Sequence, residues 1–545
     1  MKLNPLLAID FYKSGHIVQY PKGTEYVYSN FTPRSSKLAS KIKEIFDEKV
    51  VFFGLQGFIQ WFLIDSFNEG FFNRPKQEVV DEYQWHMDNG LGAGVDCSHI
   101  AELHDLGYLP ICIKALPEGS RVNIKVPMFT ICNTHSKFYW LTNYLEDVLS
   151  NESWKACTTA TTAWQYRKLL ENYAEKTGAS KDLVMWQGHD FSFRGVGGIH
   201  DGAKNSAGHL LSFYGTDTIS AIAYLKDYYK GGETLIGGSV PATEHSVMCM
   251  GGETTEVDTF RRLITEIYPS GVVSIVSDTW DYWNTITNTT RILKEEILAR
   301  KENALGLAKV VFRPDSGDPV KIVCGLTSVE INGLGWDGYD EVYNQDVVLY
   351  QGKYYYFETS YDEDSYGATF NYAVTLVEEV PEHVVKGSIE CLWDVFGGTV
   401  NDAGFRELNP RVGLIYGDSI TLERAQTILQ RLADKGFASS NVVFGIGSYT
   451  YQYQTRDSYG FAMKATFGVV NGEDREIFKA PKTGDNFKKS AKGLLRVEKE
   501  GDDFVLYDQQ TREQEDQGEL KLVFSNGTAF NIQTLEQIRN TLHSS

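Results

Sequence analysis

Three short stretches of the sequence set reactive side chains among small residues. In Gly238–Ser246, "GSVPATEHS", His245 follows Glu244 inside a run of small residues. An imidazole beside a carboxylate can exchange a proton near neutral pH; a histidine satisfied within a turn is the alternative. In "HDFSFRGVGG" (189–198), Phe191 and Arg194 stand three apart, with glycines that let backbone approach a ligand. An aromatic face and a guanidinium suit a flat heteroaromatic ring carrying a phosphate or carboxyl group. A core phenylalanine beside a turn-capping arginine would look the same. In "FYGTDT" (213–218), Asp217 follows the apolar run Leu210-Leu211-Ser212-Phe213. A carboxylate at a strand end accepts the N–H of a carboxamide and repels a carboxylate ligand.

Elements able to position such groups recur between about 250 and 450. Short β-branched runs end in polar, Gly- or Asp-containing loops: "VVSIVSDTWD" (272–281), "KVVFRPDSGDP" (309–319), "VGLIYGDS" (412–419) and "NVVFGIGS" (441–448). Apolar runs without alternation predict parallel strands covered on both faces. Between two of them, Leu422, Ala425, Ile428, Leu429 and Leu432 recur at helical spacing, and Gly436 stands where a helix ends. Strand, polar loop, helix, strand is the grammar of a βα barrel or a doubly wound sheet. In a barrel the post-strand residues converge on one face, which would gather Asp278, Arg313, Asp315, Asp418 and Gly447. Turns and helix caps alone are the competing explanation for these Asp and Gly residues.

The grammar breaks between about 322 and 390, where an aromatic, strand-like stretch predicts an inserted β element with a hairpin turn at Gln351-Gly352. A GxGxxG at Gly333, Gly335 and Gly338 lies inside it, but no helix follows, which argues against dinucleotide binding. A Walker A motif is absent.

The chain has 545 residues and a formal charge of −20, so a nucleic-acid backbone is not an expected partner. A phosphorylated ligand would need a local concentration of cations. One such reversal is "KAPKTGDNFKKSAKGLLR" (479–496), with five lysines and an arginine against Asp485. It is either a solvated loop or a clamp for a polyphosphate. The apolar segment Val50–Ile64 is fifteen residues long and carries Gln56 and Gln60, so a buried helix, not a membrane span, is expected. Seven scattered cysteines without a CxxC pair suggest neither a disulfide framework nor a zinc site, and point to a reducing, cytoplasmic compartment.

Taken in order, these stretches resemble the nicotinamide phosphoribosyltransferase family, among the type II phosphoribosyltransferases. The resemblance is carried by "IDFYKSGHIVQYP" (9–21), "WLTNYLEDVL" (140–149), "HDFSFRG", "GTDT", "SVPATEHS", "VSDTWD", "RPDSGDP", "YGDS", "TRD" (455–457) and "VFSNG" (523–527). It spans nearly the whole chain outside the 322–390 insertion. It implies an α/β fold: an irregular βα barrel over 151–459 plus a discontinuous α+β domain from 1–150 and 460–545.

The resemblance also implies a reaction. Phosphoribosyl pyrophosphate would give its 5-phosphoribosyl group to nicotinamide, with Mg²⁺ as cofactor and ATP as a stimulating co-substrate that phosphorylates His245. It implies a homodimer with shared active sites, in which Phe191 and Tyr12 of the other chain sandwich the ring. Asp217 would read the carboxamide, with Arg194, Ser239 and Arg313 in the same pocket. Asp315 and the Gly417-Asp418 turn would hold the ribose, and Gly447, Ser448 and Arg456 the 5′-phosphate. Arg34, Lys464 and Lys479 would hold pyrophosphate, and Asp278 with Asp315 would lie near the magnesium. The pattern departs at "GIGSYTYQ", where a glycine run is expected, and at Ser192-Phe193, where Gly-Tyr is expected. The nearest alternative is a nicotinate phosphoribosyltransferase, which Asp217 disfavours through charge repulsion.

Overall fold

The computed structural model describes residues 4–335, 342–363, 370–478 and 491–544. Its principal strands, in chain order, begin with β1 (Thr24–Thr32), β2 (Ile111–Ala115), β3 (Phe129–Asn133) and β4 (Gly188–Phe191). They continue with β5 (Val273–Val276), β6 (Val310–Arg313), β7 (Val412–Tyr416) and β8 (Val442–Gly447). The last are β9 (Ala462–Val470), β10 (Glu473–Glu476) and β11 (Lys521–Ser525). Three helices matter below: α1 (Glu146–Thr177), α2 (His245–Gly251) and α3 (Leu422–Asp434).

The chain divides into two compact units. The first joins residues 1–165, 192–237 and 451–545, and the second joins 166–191 and 238–450. Residues 192–237 thus group with the terminal segments.

The first unit is built on an antiparallel sheet in the order β10-β9-β1-β3-β2-β11, closed by Thr528–Ala529. Strand β2, "ICIKA", alternates buried and half-buried residues, as a sheet with one core face requires. Its inward Ile111 and Ile113 join Ile131, Phe129, Phe31 and Met463 in the main core. Phe31 lies stacked between Phe129 and Phe461, with ring centroids 5.0 and 5.2 Å away. The apolar run at 50–64 is only partly helical. Val50 and Val51 belong to a short strand, Gly54 turns the chain at φ 104°, and the helix starts at Leu55. A non-glycine residue would be strained at that turn.

The second unit carries a parallel half-barrel sheet in the order β4-β8-β7-β6-β5. All four residues of β5 and all five of β7 are buried, the pattern of strands covered on both faces. Helix α3 buries Leu422, Ala425, Ile428, Leu429 and Leu432. The Thr421 hydroxyl caps its start by accepting the Arg424 N–H, and Gly436 at φ 75° follows its end. Truncating Ile428 or Leu429 to alanine would cost about 2–5 kcal/mol. The inserted segment forms its own sheet from Ser328–Glu330, Val347–Tyr350, Lys353–Glu363 and Phe370–Val380. Gln351 and Gly352 close its first hairpin, both at positive φ (52° and 79°), which is the type I′ geometry. Gly338 of the GxGxxG and the basic stretch from Lys479 to Ser490 lie outside the described residues.

Candidate active site

The carboxyl ends of the parallel strands bring a set of carboxylates together. Strand β5 runs into Ser277-Asp278, β6 ends at Arg313 just before Asp315, and β7 runs into Gly417-Asp418. The backbone N–H of Asp315 donates to Asp278 Oδ2 at 3.0 Å, so the two loops are tied at their carboxylates. Tyr416, at the end of β7, is buried and donates to the carbonyls of Ser316 and Gly317 at 3.0 and 2.8 Å. Burial first, then the charges of Asp418, Asp315 and Asp278, push its hydroxyl well above the usual phenol range. The three carboxylates thus share one field, and Tyr416 braces the loop that carries Asp315. Sequence reasoning passed over Tyr416. Its place as the last residue of a β-branched run was the available signal.

His245 reaches the same place by a side route. Residues 241–243 run parallel to β5: Ser274 N–H donates to Pro241 O at 2.9 Å, and Thr243 N–H to Ser274 O at 3.0 Å. The Thr243 hydroxyl accepts the Val276 N–H at 2.9 Å, and Arg313 Nη2 donates to Thr243 O at 2.5 Å. His245 then opens α2 with its Nε2 3.3 Å from Asp278 Oδ1. The Asp278 side chain is 4% exposed, whereas that of His245 is 49% exposed. Oδ1 accepts no aligned hydrogen bond, so the contact is one of proximity. Glu244 turns elsewhere: its carboxylate accepts the Ser246 hydroxyl. Ser239, on the same approach, is exposed, and its hydroxyl lies 3.4 Å from Val240 O.

Phe191, the last residue of β4, stands opposite Gly447 in the sheet register. Its ring lies against two glycines of neighbouring strands. A Cβ added to Gly445 would fall 2.5 Å from the ring, and one added to Gly417 would fall 3.2 Å from it and 3.4 Å from Asp315 Oδ1. Glycine at Gly445 is therefore a requirement of the ring's position. Ser448 follows Gly447 and begins a short helical turn. Phe191, Asp278, Arg313, Asp315, Gly417, Asp418, Gly447, Ser448, Ser239 and His245 all belong to the second unit.

The remaining candidates belong to the first unit. Arg34, Arg456 and Lys464 line one cavity of about 580 Å³, facing Asp10, Glu146 and Asp147. Arg34 is held by its Nε–H donating to Gly460 O at 2.9 Å, and Lys464 Nζ lies 3.9 Å from Glu146. At the N-terminus of α1, Glu146 Oε2 accepts Lys13 Nζ at 2.6 Å. Burial pulls Lys13 down, but Glu146, aided by Asp147, leaves it above the ordinary lysine value. Asp147 also accepts the Asp10 N–H at 3.1 Å, so α1 anchors the short helix carrying Tyr12, whose ring is 57% exposed. Arg194 and Asp217 are exposed, on a 3₁₀ turn and in a loop respectively. Ser192 is buried and accepts the Asn205 amide at 3.3 Å, so the Gly-to-Ser departure is absorbed inside the unit. Lys479 lies outside the described residues.

The donor set fits magnesium. No group of three or more His, Cys, Asp or Glu side chains that could cage a metal occurs among the described residues. Mg²⁺ is commonly held by one or two carboxylates, its other positions going to waters and substrate phosphates. Asp278, with an unsatisfied buried oxygen, and Asp315, whose backbone N–H it accepts, are the two carboxylates that would serve such an ion.

The chain is matched by known proteins in sequence and in fold. The nicotinate phosphoribosyltransferase (NAPRTase) family model matches residues 186–528, and the nicotinamide phosphoribosyltransferase N-terminal domain model matches residues 4–113. Two crystal structures share the fold at a TM-score of 0.51. They are nicotinate-nucleotide pyrophosphorylase from Pyrococcus furiosus (12% identical, covering 99% of this chain and 95% of that one) and human nicotinic acid phosphoribosyltransferase (14% identical, 98% and 93%). The fold and site thus define a phosphoribosyltransferase, a pentosyltransferase enzyme. Nicotinamide phosphoribosyltransferase from Acinetobacter baylyi is 56% identical over 542 residues, covering 99% of this chain and 97% of its own. The protein of that name from Mycoplasma pneumoniae is 30% identical over 88% and 93%. The chain belongs to the nicotinamide phosphoribosyltransferase family.

Proposed function

We propose that the chain transfers the 5-phosphoribosyl group of phosphoribosyl pyrophosphate to nicotinamide, giving nicotinamide mononucleotide and pyrophosphate. The observation that carries this reading is the seat of Phe191 against Gly417 and Gly445, with Asp315 at the same glycine. We read it as a ring-stacking face beside a carboxylate able to hold a ribose, the pairing that attack of a pyridine nitrogen on an anomeric carbon needs.

In this mechanism Phe191 stacks the base, and Asp217 accepts its carboxamide N–H. Asp315 and Asp418 orient the ribose hydroxyls and oppose the positive charge that grows on the ring as pyrophosphate departs. Preorganised groups of this kind are worth about 3–4 kcal/mol each. Arg34, Lys464 and Lys479 hold the pyrophosphate, and Gly447, Ser448 and Arg456 the 5′-phosphate. Arg194, Ser239 and Arg313 complete the base pocket. Asp278 and Asp315 would hold Mg²⁺, which supplies charge neutralisation on the leaving group when bound. No protein nucleophile is required.

ATP stimulates the enzyme by phosphorylating His245, in our reading, and the added charge steadies the bound pyrophosphate and magnesium. The working form is a homodimer with shared active sites, each taking Tyr12 from the other chain as the second face of the ring slot. No described helix is long and apolar enough to cross a membrane. With seven free cysteines, we place the protein in the cytoplasm. Mononucleotide formation from nicotinamide and from nicotinate, with phosphoribosyl pyrophosphate and Mg²⁺ and with or without ATP, tests the proposal.

A further inference from the structure

Cys112 and Cys132 are twenty residues apart in the sequence, but β2 and β3 set them directly opposite one another. Both are free thiols and half-buried. Directly opposed residues of an antiparallel pair have Cα atoms about 4.5–5.5 Å apart. A disulfide accepts about 4.4–6.8 Å, so the strand spacing is compatible with a bridge.

The surroundings differentiate the two sulfurs. Cys132 donates its S–H to Cys112, which holds the Cys112 thiol below its ordinary value against the opposing effect of burial. Lys114, two residues along β2 and hence on the same face, adds a favourable charge. Its Nζ is itself shared by Glu515, at 2.6 Å, and Asp516. Cys132 is driven well above the thiol range by that same bond to Cys112 and by burial; it also lies against Tyr28, Leu494 and Leu495. Cys112, with the Lys114 ammonium on its own strand face, is the sulfur assigned the attacking role, and Cys132 the resolving one. That is the division of labour between an attacking and a resolving thiol.

We propose that Cys112 and Cys132 form a redox-active dithiol, which a low-molecular-weight disulfide oxidises to a disulfide between neighbouring strands. The Cys112 thiolate attacks one sulfur of glutathione disulfide, forms a mixed disulfide and expels a glutathione thiolate. Cys132 loses its proton to solvent and attacks the Cys112 sulfur, expelling the second glutathione thiolate. Two protein thiols are oxidised, and one glutathione disulfide is reduced to two thiols. The pair lies on the sheet face opposite the main core, so the crosslink would join β2 to β3 without entering that core.

The experiment equilibrates the full-length native protein in glutathione buffers from fully reduced to fully oxidised. N-ethylmaleimide then blocks the remaining thiols, and peptides are mapped by mass spectrometry. The expected result is a Cys112–Cys132 linked peptide that grows with oxidation and is reversed by dithiothreitol. In Cys112→Ser, Cys132 should remain alkylatable throughout. Two alkylated thiols at full oxidation, a Cys112–glutathione adduct that never closes, or linkage of either sulfur elsewhere would overturn the proposal. The wild-type peptide map decides alone if the variant does not fold.

Discussion

His245 Nε2 lies 3.3 Å from Asp278 Oδ1, while Glu244, the neighbour in sequence, turns its carboxylate to Ser246. The carboxylate that meets the imidazole therefore comes from a barrel loop 33 residues downstream. Asp278 is nearly buried, and its other oxygen is fixed by the Asp315 N–H, so its position is set by the sheet. Asp278→Asn should lower kcat/KM with ATP present by roughly 10²-fold with little change in melting temperature. Glu244→Gln should leave kcat/KM close to wild type. Steady-state kinetics beside a thermal melt check both. His245→Ala should abolish ATP stimulation yet retain slow ATP-independent synthesis, read by mononucleotide formation with and without ATP.

Gly445→Ala probes the aromatic slot. The added Cβ would stand 2.5 Å from the Phe191 ring and 2.6 Å from the Gly417 Cα, so the ring and the neighbouring strand end must shift apart. Misplacing a reacting partner by about 1 Å can cost about 10²-fold. The expected outcome is a raised KM for nicotinamide and a lowered kcat, with KM for phosphoribosyl pyrophosphate changed less. Initial-rate measurements with each substrate varied in turn separate these effects.

Asp217→Ser probes the choice of base. If Asp217 reads the carboxamide as proposed, its removal should weaken nicotinamide use and relax the exclusion of nicotinate. The ratio of the two kcat/KM values should fall by at least about tenfold. Competition between labelled nicotinamide and nicotinate measures that ratio directly.

Glu118 gives the first unit a pH dependence of its own. Its carboxyl is buried and accepts the N–H groups of Gly54 and Gln56 at 3.1 and 2.6 Å. Burial outweighs those bonds and pushes it up from 4.5 to about 7. Between those two values the folded state binds more protons than the unfolded state, so stability falls as pH rises from about 4.5 to about 7 and then levels off. The contribution is on the order of 3 kcal/mol. Glu118→Gln should remove this slope, which melting curves at pH 5, 6, 7 and 8 would show.

Much of the barrel was legible because its strands follow a simple rule. Unalternated Val and Ile runs mark strands, and the structure has β5 to β8 where those runs stand, with β5 and β7 buried on both faces. The helix from Leu422 and the turn at Gln351-Gly352 followed from spacing and turn chemistry in the same way. Other features depend on partners distant in sequence. Val50 and Val51 pair as a strand with residues 121–122, which a hydrophobic run cannot announce. The grouping of residues 192–237 with the terminal segments is likewise long-range. In the site, residue types and post-strand positions marked the carboxylates. The bridge of residues 241–243 onto β5 that delivers His245 to Asp278, and the bracing by Tyr416, are three-dimensional facts without a local signature.

Phosphoribosyl transfer to nicotinamide is measured directly as product formation by the purified chain with phosphoribosyl pyrophosphate and Mg²⁺. Nicotinamide and nicotinate are supplied together at equal concentration. The expected products are nicotinamide mononucleotide with pyrophosphate released in equal amount, and little nicotinate mononucleotide. Equal or preferential formation of nicotinate mononucleotide, or no mononucleotide at all, would contradict the proposed function.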